Sequence, residues 1–160
     1  MKARQRMQIL YAFASKCNGR VIGTGNKTEE YLGYFTKYGD GGVDINPIGN
    51  LLKRQVRAVA KTYKLPNDLI NRVPSAELFD GQTDETELGA TYEQLDVVVE
   101  LVSERIKEEP LIKGISLATI RYLSEKTGLS ENKVFELINR IDYTAHKREA
   151  PKSIERVEND

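Results

Sequence analysis

The hydrophobic and polar positions of the chain follow a helical period over most of its length. In residues 2–17, apolar side chains recur every three or four positions, which predicts an amphipathic helix that Asn18 and Gly19 end. The same period predicts further helices and, at residues 66–71, a short helical turn. The longer helices are predicted at residues 50–63, 92–108, 117–126 and 131–145, with Ser116 and Ser130 as caps of the last two.

A different pattern occupies residues 20–24, where a β-branched run ends in glycine. It predicts a buried strand and a turn, followed by a short helix that Thr28 caps and that carries Glu29 and Glu30 in its first turn. Strand, glycine turn and capped helix in this order form the ligand crevice of open α/β sheets. A buried strand needs hydrogen-bond partners on both edges, yet little else in the chain is strand-like. Either the sheet is very small or its other strands lie in another polypeptide.

Two segments have the character of binding loops. Residues 36–44 contain three glycines, one lysine and two aspartates, so their backbone can lie close to a ligand and offer it both signs of charge. Residues 73–88 show no obvious element, and a loop of that length in a compact domain is typical of a lid or binding loop.

Composition limits the classes of function. The 160 residues carry 24 basic and 24 acidic side chains, so no global charge favours nucleic acid or an anionic membrane as a partner. No apolar run approaches the roughly 18 residues of a membrane span. The single cysteine, Cys17, is interpreted as a buried side chain in a reducing compartment. We therefore expect a soluble, cytoplasmic protein.

Several segments together resemble one family of enzymes. They read GTGNKTE at residues 23–29, GYFTKYGDGG at 33–42 and DINPIGNLLKRQV at 44–56, with KARQRM at 2–7 and HKREAP at 146–151. This set is similar to the motifs of the ammonia-dependent NAD synthetases, and the resemblance spans residues 2–151. It implies the family's α/β fold, an open parallel sheet flanked by helices in the Rossmann-like, adenine nucleotide alpha hydrolase-like class.

One motif of the family is not found in this sequence. The family's first strand ends in a pyrophosphate-binding loop, S-G-G-x-D-S, which would precede the KARQRM helix. The resemblance therefore implies a carboxyl-terminal portion: residues 1–148 would be part of a single synthetase domain, mostly helical with few strands because its amino-terminal half is absent. Residues 149–160 are expected to form a charged, disordered tail. Such a chain would be inactive alone and would need a separate amino-terminal segment.

The resemblance also implies a reaction. In the family, the nicotinate carboxylate of deamido-NAD attacks the α-phosphorus of ATP, and ammonia then displaces AMP to give NAD. Charge that develops in this transfer must be neutralised by cations and Mg²⁺. By position, Thr24 and Ser75 would contact ATP, Lys53 would pair with its phosphates, and Glu29 would bind Mg²⁺. The neighbouring Glu30 is expected to stay in solvent.

Five more residues are assigned to deamido-NAD by the same resemblance. Cationic side chains among them suit its pyrophosphate and its nicotinate carboxylate. They are Arg4, Lys37, Asp44, His146 and Lys147. No catalytic residue is assigned, although Asp40 is a candidate proton acceptor. The family works as a homodimer, and the helix at residues 2–17 is a candidate for that contact.

The last two predicted helices also fit another class of protein, a small helical binding module. Residues 116–141 have the helix, glycine turn and helix spacing of a helix-turn-helix. The predicted core of this pair is Ile120, Leu123, Leu129, Val134 and Ile138. However, the second helix mixes acidic and basic side chains where a DNA reader carries basic ones, so simple helix packing is favoured. A DNA-binding module also has no use for the glycine-rich segment.

Overall fold

A computed structural model describes residues 2–108, 115–151 and 153, and helices dominate this part of the chain. Helices at all of the predicted positions are confirmed, with ends that differ by a few residues. The α-helices are α1 (Lys2–Lys16), α2 (Lys27–Tyr31), α3 (Lys53–Thr62), α4 (Asn67–Ile70), α5 (Asp84–Leu88), α6 (Tyr92–Glu108), α7 (Leu117–Thr127) and α8 (Glu131–Tyr143). A 3₁₀ turn at Ala145–Lys147, the C-terminal turn, follows α8.

Helix α6 is the centre of the hydrophobic core. It packs against α2, α3, α7 and α8, and five of its apolar side chains are at most 1 % exposed. Burying side chains of this kind stabilises a fold by about 1.5–3 kcal/mol each. They are Tyr92, Leu95, Val98, Val99 and Val102.

Helices α7 and α8 begin where the serine caps predict, and α7 ends before Gly128, while α8 ends two residues before its predicted end. The hydroxyls of Ser116 and Ser130 each accept a backbone N–H in the first turn of their helix at 3.2 Å, and Gly128 ends α7 with a φ of +71°. The predicted core of the pair is confirmed, with Leu129 partly buried and the other four side chains buried. Only residues 149–151 and 153 of the predicted tail are described, so the prediction of disorder lies largely outside the described residues.

The prediction of a buried strand at residues 20–24 is wrong. Val21 is buried, but Ile22 is 54 % exposed and forms a single isolated parallel bridge with Ile45. Gly23 donates its N–H to the carbonyl of Ile45 at 2.7 Å, and Asp44 donates to the carbonyl of Val21 at 2.9 Å. On its other edge, Ile22 has no hydrogen-bond partner among the described residues. The segment is extended and buries Val21 and Gly23, but Ile22 stays exposed because the described chain places no second neighbour beside its other edge.

Two smaller expectations are also wrong. Cys17 is exposed, because α1 buries none of its residues and no core reaches its end. The predicted loop at residues 73–88 contains α5, which the side chain of Thr83 caps by accepting the N–H of Thr86 at 3.2 Å. Three acidic side chains in the first turn of α5 favour it further through the helix dipole.

Helix α1 carries apolar side chains on the protein surface. Ile9, Leu10 and Phe13 are each more than half exposed. In the described residues, no helix has both the length and the apolar character that crossing a membrane requires.

Candidate functional site

Helix α2 is fixed by a reciprocal cap. The side chain of Asn26 accepts the N–H of Glu29, and the Oε2 atom of Glu29 accepts the N–H of Asn26, both at 3.1 Å. The prediction that Thr28 caps this helix is wrong, because Thr28 is buried inside it and donates its hydroxyl to Oδ1 of Asp96 at 2.5 Å. The cap occupies Oε2 of Glu29, so Oε1 is available to other groups.

An ion pair joins α2 to the start of α3. The Nζ atom of Lys53 lies 2.9 Å from Oε1 of Glu29, and both side chains are less than 20 % exposed. The same ammonium group lies 4.7 Å from the centre of the Tyr92 ring, a cation–π contact that stabilises a partly desolvated lysine. The sequence singled out Glu29 and Lys53 separately, and the structure brings them into direct contact.

The pair lies in a cleft of about 710 Å³, which we call the Lys53 cleft. Thr24, Glu29, Lys53 and Ser75 all line it, so the residues assigned to ATP and Mg²⁺ converge on one concave surface. The hydroxyl oxygen of Ser75 accepts the N–H of Glu77 at 3.1 Å, which fixes the loop at the cleft wall. A volume of this size is in the range of small-molecule sites.

The donor set of the Lys53 cleft fits a Mg²⁺ ion in part. Within the described ranges, no three His, Cys, Asp or Glu side chains are grouped as a metal site. Mg²⁺ usually keeps several waters and takes one or two carboxylates, however. Glu29 and Asp84 both line the cleft and both contact the Tyr92 hydroxyl, at 3.2 and 2.7 Å. The Oδ1 atom of Asp84 is buried without a hydrogen-bond partner in the described part of the chain.

A second cleft of about 500 Å³ lies between α1 and the glycine-rich segment. Lys147 lines it and donates from Nζ to the carbonyls of Gly33 at 2.7 Å and Phe35 at 2.8 Å. Lys37 donates from Nζ to the carbonyl of His146. The structure thus brings three of the residues assigned to deamido-NAD together, where the C-terminal turn meets the glycine-rich segment.

The other two residues assigned to deamido-NAD have different surroundings. The Asp44 carboxylate accepts the N–H of Val21 at 2.8 Å and the hydroxyl of Tyr11 at 3.2 Å, so it ties α1 to the extended segment. Arg4 is exposed on α1 and lines neither of these two clefts, whereas Arg6 lines the second one. Among the described residues, neither Arg4 nor Asp44 is hydrogen-bonded to Lys37.

The prediction that Glu30 stays in solvent is wrong. Its side chain is partly buried, and Oε1 accepts a hydrogen bond from Nδ2 of Asn46 at 2.5 Å. Burial raises the pKa of the Glu30 carboxyl, and the bond from Asn46 and the charge of Arg148 counteract that rise. No local signal indicates this contact, because Asn46 and Arg148 come from other segments of the chain.

Some residues around the Lys53 cleft were missed in the sequence. Tyr34 donates its hydroxyl to Oε2 of Glu87 at 2.5 Å, and burial raises the pKa values of both Tyr34 and Tyr92, so both phenols stay protonated near neutral pH. Asp96 could have been found, because it follows Tyr92 by four residues and so lies in the apolar stripe of α6. A carboxylate in such a stripe is a signal of a buried polar contact.

Comparison with known proteins establishes the family. A family model for NAD synthase matches residues 1–151, so this chain belongs to the NAD synthase family. The NH(3)-dependent NAD(+) synthetase of Methanosarcina mazei is 43% identical over 151 residues, which are 94% of this chain and 54% of that protein. The enzyme of Sulfurisphaera tokodaii is 45% identical over 151 residues, 94% of this chain and 50% of its own length. The chain therefore spans about half the length of the curated relatives it matches.

Solved structures agree with this assignment. The NMN synthetase from Francisella tularensis matches with a TM-score of 0.70 and 37% identity, over 95% of this chain and 53% of that one. The NH3-dependent NAD synthetase from Campylobacter jejuni matches with a TM-score of 0.62 and 28% identity, over 96% of this chain and 52% of that one. The family resemblance seen in the sequence motifs is confirmed. The described part of the chain is mostly helical, and its structural neighbours are NAD and NMN synthetases.

Proposed function

We propose that this chain is the carboxyl-terminal part of an ammonia-dependent NAD synthetase domain. The complete domain would adenylate deamido-NAD with ATP and amidate it with ammonia, giving NAD, AMP and pyrophosphate. Relatives that are 43% and 45% identical over 94% of the chain support this assignment. The observation that carries it is the convergence of Thr24, Glu29, Lys53 and Ser75 on one cleft.

Lys53 has the central role in the proposed ATP site. Its ammonium is partly desolvated, so its charge acts more strongly on a phosphate oxygen than that of a solvated lysine would. The hydroxyls of Thr24 and Ser75 lie on the same cleft and would orient the nucleotide. Mg²⁺ held by Glu29 would add positive charge near the leaving pyrophosphate. To bind ATP, Lys53 would exchange the Glu29 carboxylate for a phosphate oxygen.

Deamido-NAD is proposed to bind where the C-terminal turn meets the glycine-rich segment. The ammonium groups of Lys37 and Lys147 now satisfy backbone carbonyls. The pyrophosphate or nicotinate carboxylate of the substrate would offer them stronger, charge-assisted hydrogen bonds. His146 is exposed beside them. Asp44 and Arg4 stay proposals for the same substrate, and Arg4 would lie at the interface of a homodimer formed through the exposed apolar side chains of α1.

The rest of the domain is proposed to lie in a segment outside these 160 residues. That segment would supply the pyrophosphate loop and the other strands of an open parallel sheet. The unpaired edge of Ile22 supports this view, because a strand docked there would satisfy its backbone N–H and carbonyl. In this proposal residues 1–148 belong to the domain, residues 149–160 form a tail, and the protein works in the cytoplasm.

We expect NAD to form only when this chain is mixed with the missing segment. The assay supplies deamido-NAD, Mg·ATP and ammonium to this chain alone, and then to this chain with a separately made amino-terminal half of the Methanosarcina mazei enzyme. A control uses that half alone. NAD formed by this chain alone would contradict our account of the missing loop. No NAD from a folded, associated mixture would contradict the proposed function.

The Francisella tularensis neighbour supports a second candidate substrate. Its name implies NMN as the product, and it matches this chain with a higher TM-score than the NAD synthetase from Campylobacter jejuni. The same assay therefore includes the mononucleotide with a nicotinate carboxylate in place of deamido-NAD. Faster amidation of the mononucleotide would favour an NMN synthetase. The helix-turn-helix module has no comparable support, because the family match covers residues 1–151 and so includes α7 and α8.

A further inference from the structure

Asp96 is a fully buried carboxylate at the centre of the fold. Its exposed fraction is zero, and no cationic side chain of the described residues is hydrogen-bonded to it. Its oxygens instead accept three hydrogen bonds from two other helices. Thr28 of α2 donates its hydroxyl to Oδ1 at 2.5 Å. At the start of α3, the N–H of Lys53 donates to Oδ1 at 3.2 Å and that of Arg54 to Oδ2 at 2.8 Å.

The start of α3 depends on this carboxylate. The first N–H groups of a helix have no partner within it, and a side chain just before the helix normally satisfies them. Leu52 occupies that position and has no polar side-chain atom. Asp96 reaches across from α6 and takes its place, and its negative charge lies at the positive end of the α3 dipole.

Asp96 also holds the residues on both sides of the ion pair in the Lys53 cleft. Thr28 directly precedes Glu29, and the backbone of Lys53 is itself bound to Asp96. One carboxylate therefore holds the side chain next to Glu29 and the backbone of Lys53, the two partners of the 2.9 Å contact. We propose that Asp96 is a positioning residue, which sets the geometry of the Glu29–Lys53 pair and through it the Lys53 cleft.

The cost of burying a charge supports a positional role. A buried ion is expensive to desolvate, and a well-packed apolar residue is often at least as stabilising at such a place. The neighbouring positions Leu95, Val98 and Val99 show that this part of the core accepts apolar side chains. An apolar residue could not accept hydrogen bonds from Thr28 and α3, so the carboxylate contributes orientation. The geometric part of this inference stands by itself, and its consequence for catalysis rests on the proposed function.

The geometric part is tested by the reactivity of the Lys53 amine in this chain. We expect acetic anhydride to acetylate Lys53 about five times faster in the variant D96N than in the unsubstituted chain. This factor corresponds to the free energy that one helix cap contributes. The amide nearly matches the carboxylate in shape, but its NH₂ group would face N–H donors. Peptide mass spectrometry would give the Lys53 rate relative to exposed Lys61 of the same helix. The matched control is E100Q, one turn further along α6, which removes the negative charge of a surface ion pair with Arg54.

An unchanged ratio of the Lys53 to the Lys61 acetylation rate in folded D96N would overturn the proposal. Lys61 is exposed and reports the intrinsic rate of the reagent, so the ratio changes only when the surroundings of Lys53 loosen. If D96N does not fold, the variant T28V tests the proposal instead. This variant keeps the side-chain shape and removes one hydrogen bond to the carboxylate, so we expect a smaller rise of the same ratio. No rise in folded T28V would then overturn the proposal.

A kinetic measurement tests the consequence for the cleft. In the mixture with the amino-terminal half, we expect D96N to raise KM for Mg·ATP and lower kcat, while KM for deamido-NAD stays constant. A parallel rise of both KM values would overturn the proposed link between Asp96 and the Lys53 cleft. If neither the unsubstituted mixture nor the E100Q mixture forms NAD, the proposed function fails, and the Lys53 to Lys61 ratio still decides the geometric role.

Discussion

Replacing Lys53 by methionine should lower kcat/KM for NAD formation by about 100-fold or more in the mixture with the amino-terminal half. That is the typical effect of removing one preorganised charged or hydrogen-bonding group from a phosphate or oxyanion site. Methionine keeps an unbranched chain against the Tyr92 ring, so K53M removes the charge with little change in packing. The measurement is an initial rate over a range of Mg·ATP concentrations.

The matched control for Lys53 is K61A, which removes an exposed lysine near the other end of α3. We expect its rates to equal those of the unsubstituted chain, which would exclude a general effect of lowering the positive charge. Circular dichroism would verify that both variants are folded. A folded K53M variant within about threefold of the unsubstituted rate would show that Lys53 does not act on the nucleotide.

Replacing Gly33 by alanine should lower the free energy of unfolding by about 3 kcal/mol or more. Gly33 has a φ of +61°, a left-handed conformation that strains any side chain. An added Cβ would also lie 2.3 Å from Cβ of Thr144, which is buried between Arg140 and the C-terminal turn. Neither backbone can give way easily, because Lys147 donates to the carbonyl of Gly33 at 2.7 Å. Urea unfolding would measure the loss.

The control for Gly33 separates conformational strain from steric overlap. Gly128 has a φ of +71°, but a Cβ there would meet no described atom within 4 Å. We therefore expect G128A to cost about 1–2 kcal/mol, the usual strain of a left-handed residue. Equal losses in G33A and G128A would mean that the contact between Gly33 and Thr144 does not restrain the junction of the glycine-rich segment and the C-terminal turn.

Local signals were enough to predict most helices. Ser116, Ser130 and Gly128 mark ends of α7 and α8 because caps depend on a few consecutive residues. The same signals also occur at two places where the prediction is wrong. Asn26 precedes Glu29 by three residues, which is the spacing of the reciprocal cap, whereas the prediction places the cap at Thr28. Residues 83–89 have the pattern of a capped helix, with Thr83 at its start, acidic residues in the first turn and Gly89 at its end, although the sequence analysis predicts a loop there.

The site was predictable as a set of residues but not as a set of contacts. Motifs singled out Glu29 and Lys53, yet they lie 24 positions apart and their ion pair depends on how α2 and α3 pack against α6. Asp96, which binds both helices, comes more than 40 positions after Lys53. The prediction of a buried strand at residues 20–24 is wrong for a related reason. Its β-branched residues favour extended backbone, but burial needs neighbours that the described chain does not supply.

The central claim of this account is that the Lys53 cleft binds ATP. The most direct measurement is the acetylation rate of Lys53, relative to Lys61, in the mixture with the amino-terminal half while Mg·ATP is titrated. We predict that the Lys53 rate falls as Mg·ATP saturates its site and that the Lys61 rate stays constant. The claim would be contradicted if the mixture formed NAD while Lys53 was acetylated at the same rate with and without Mg·ATP.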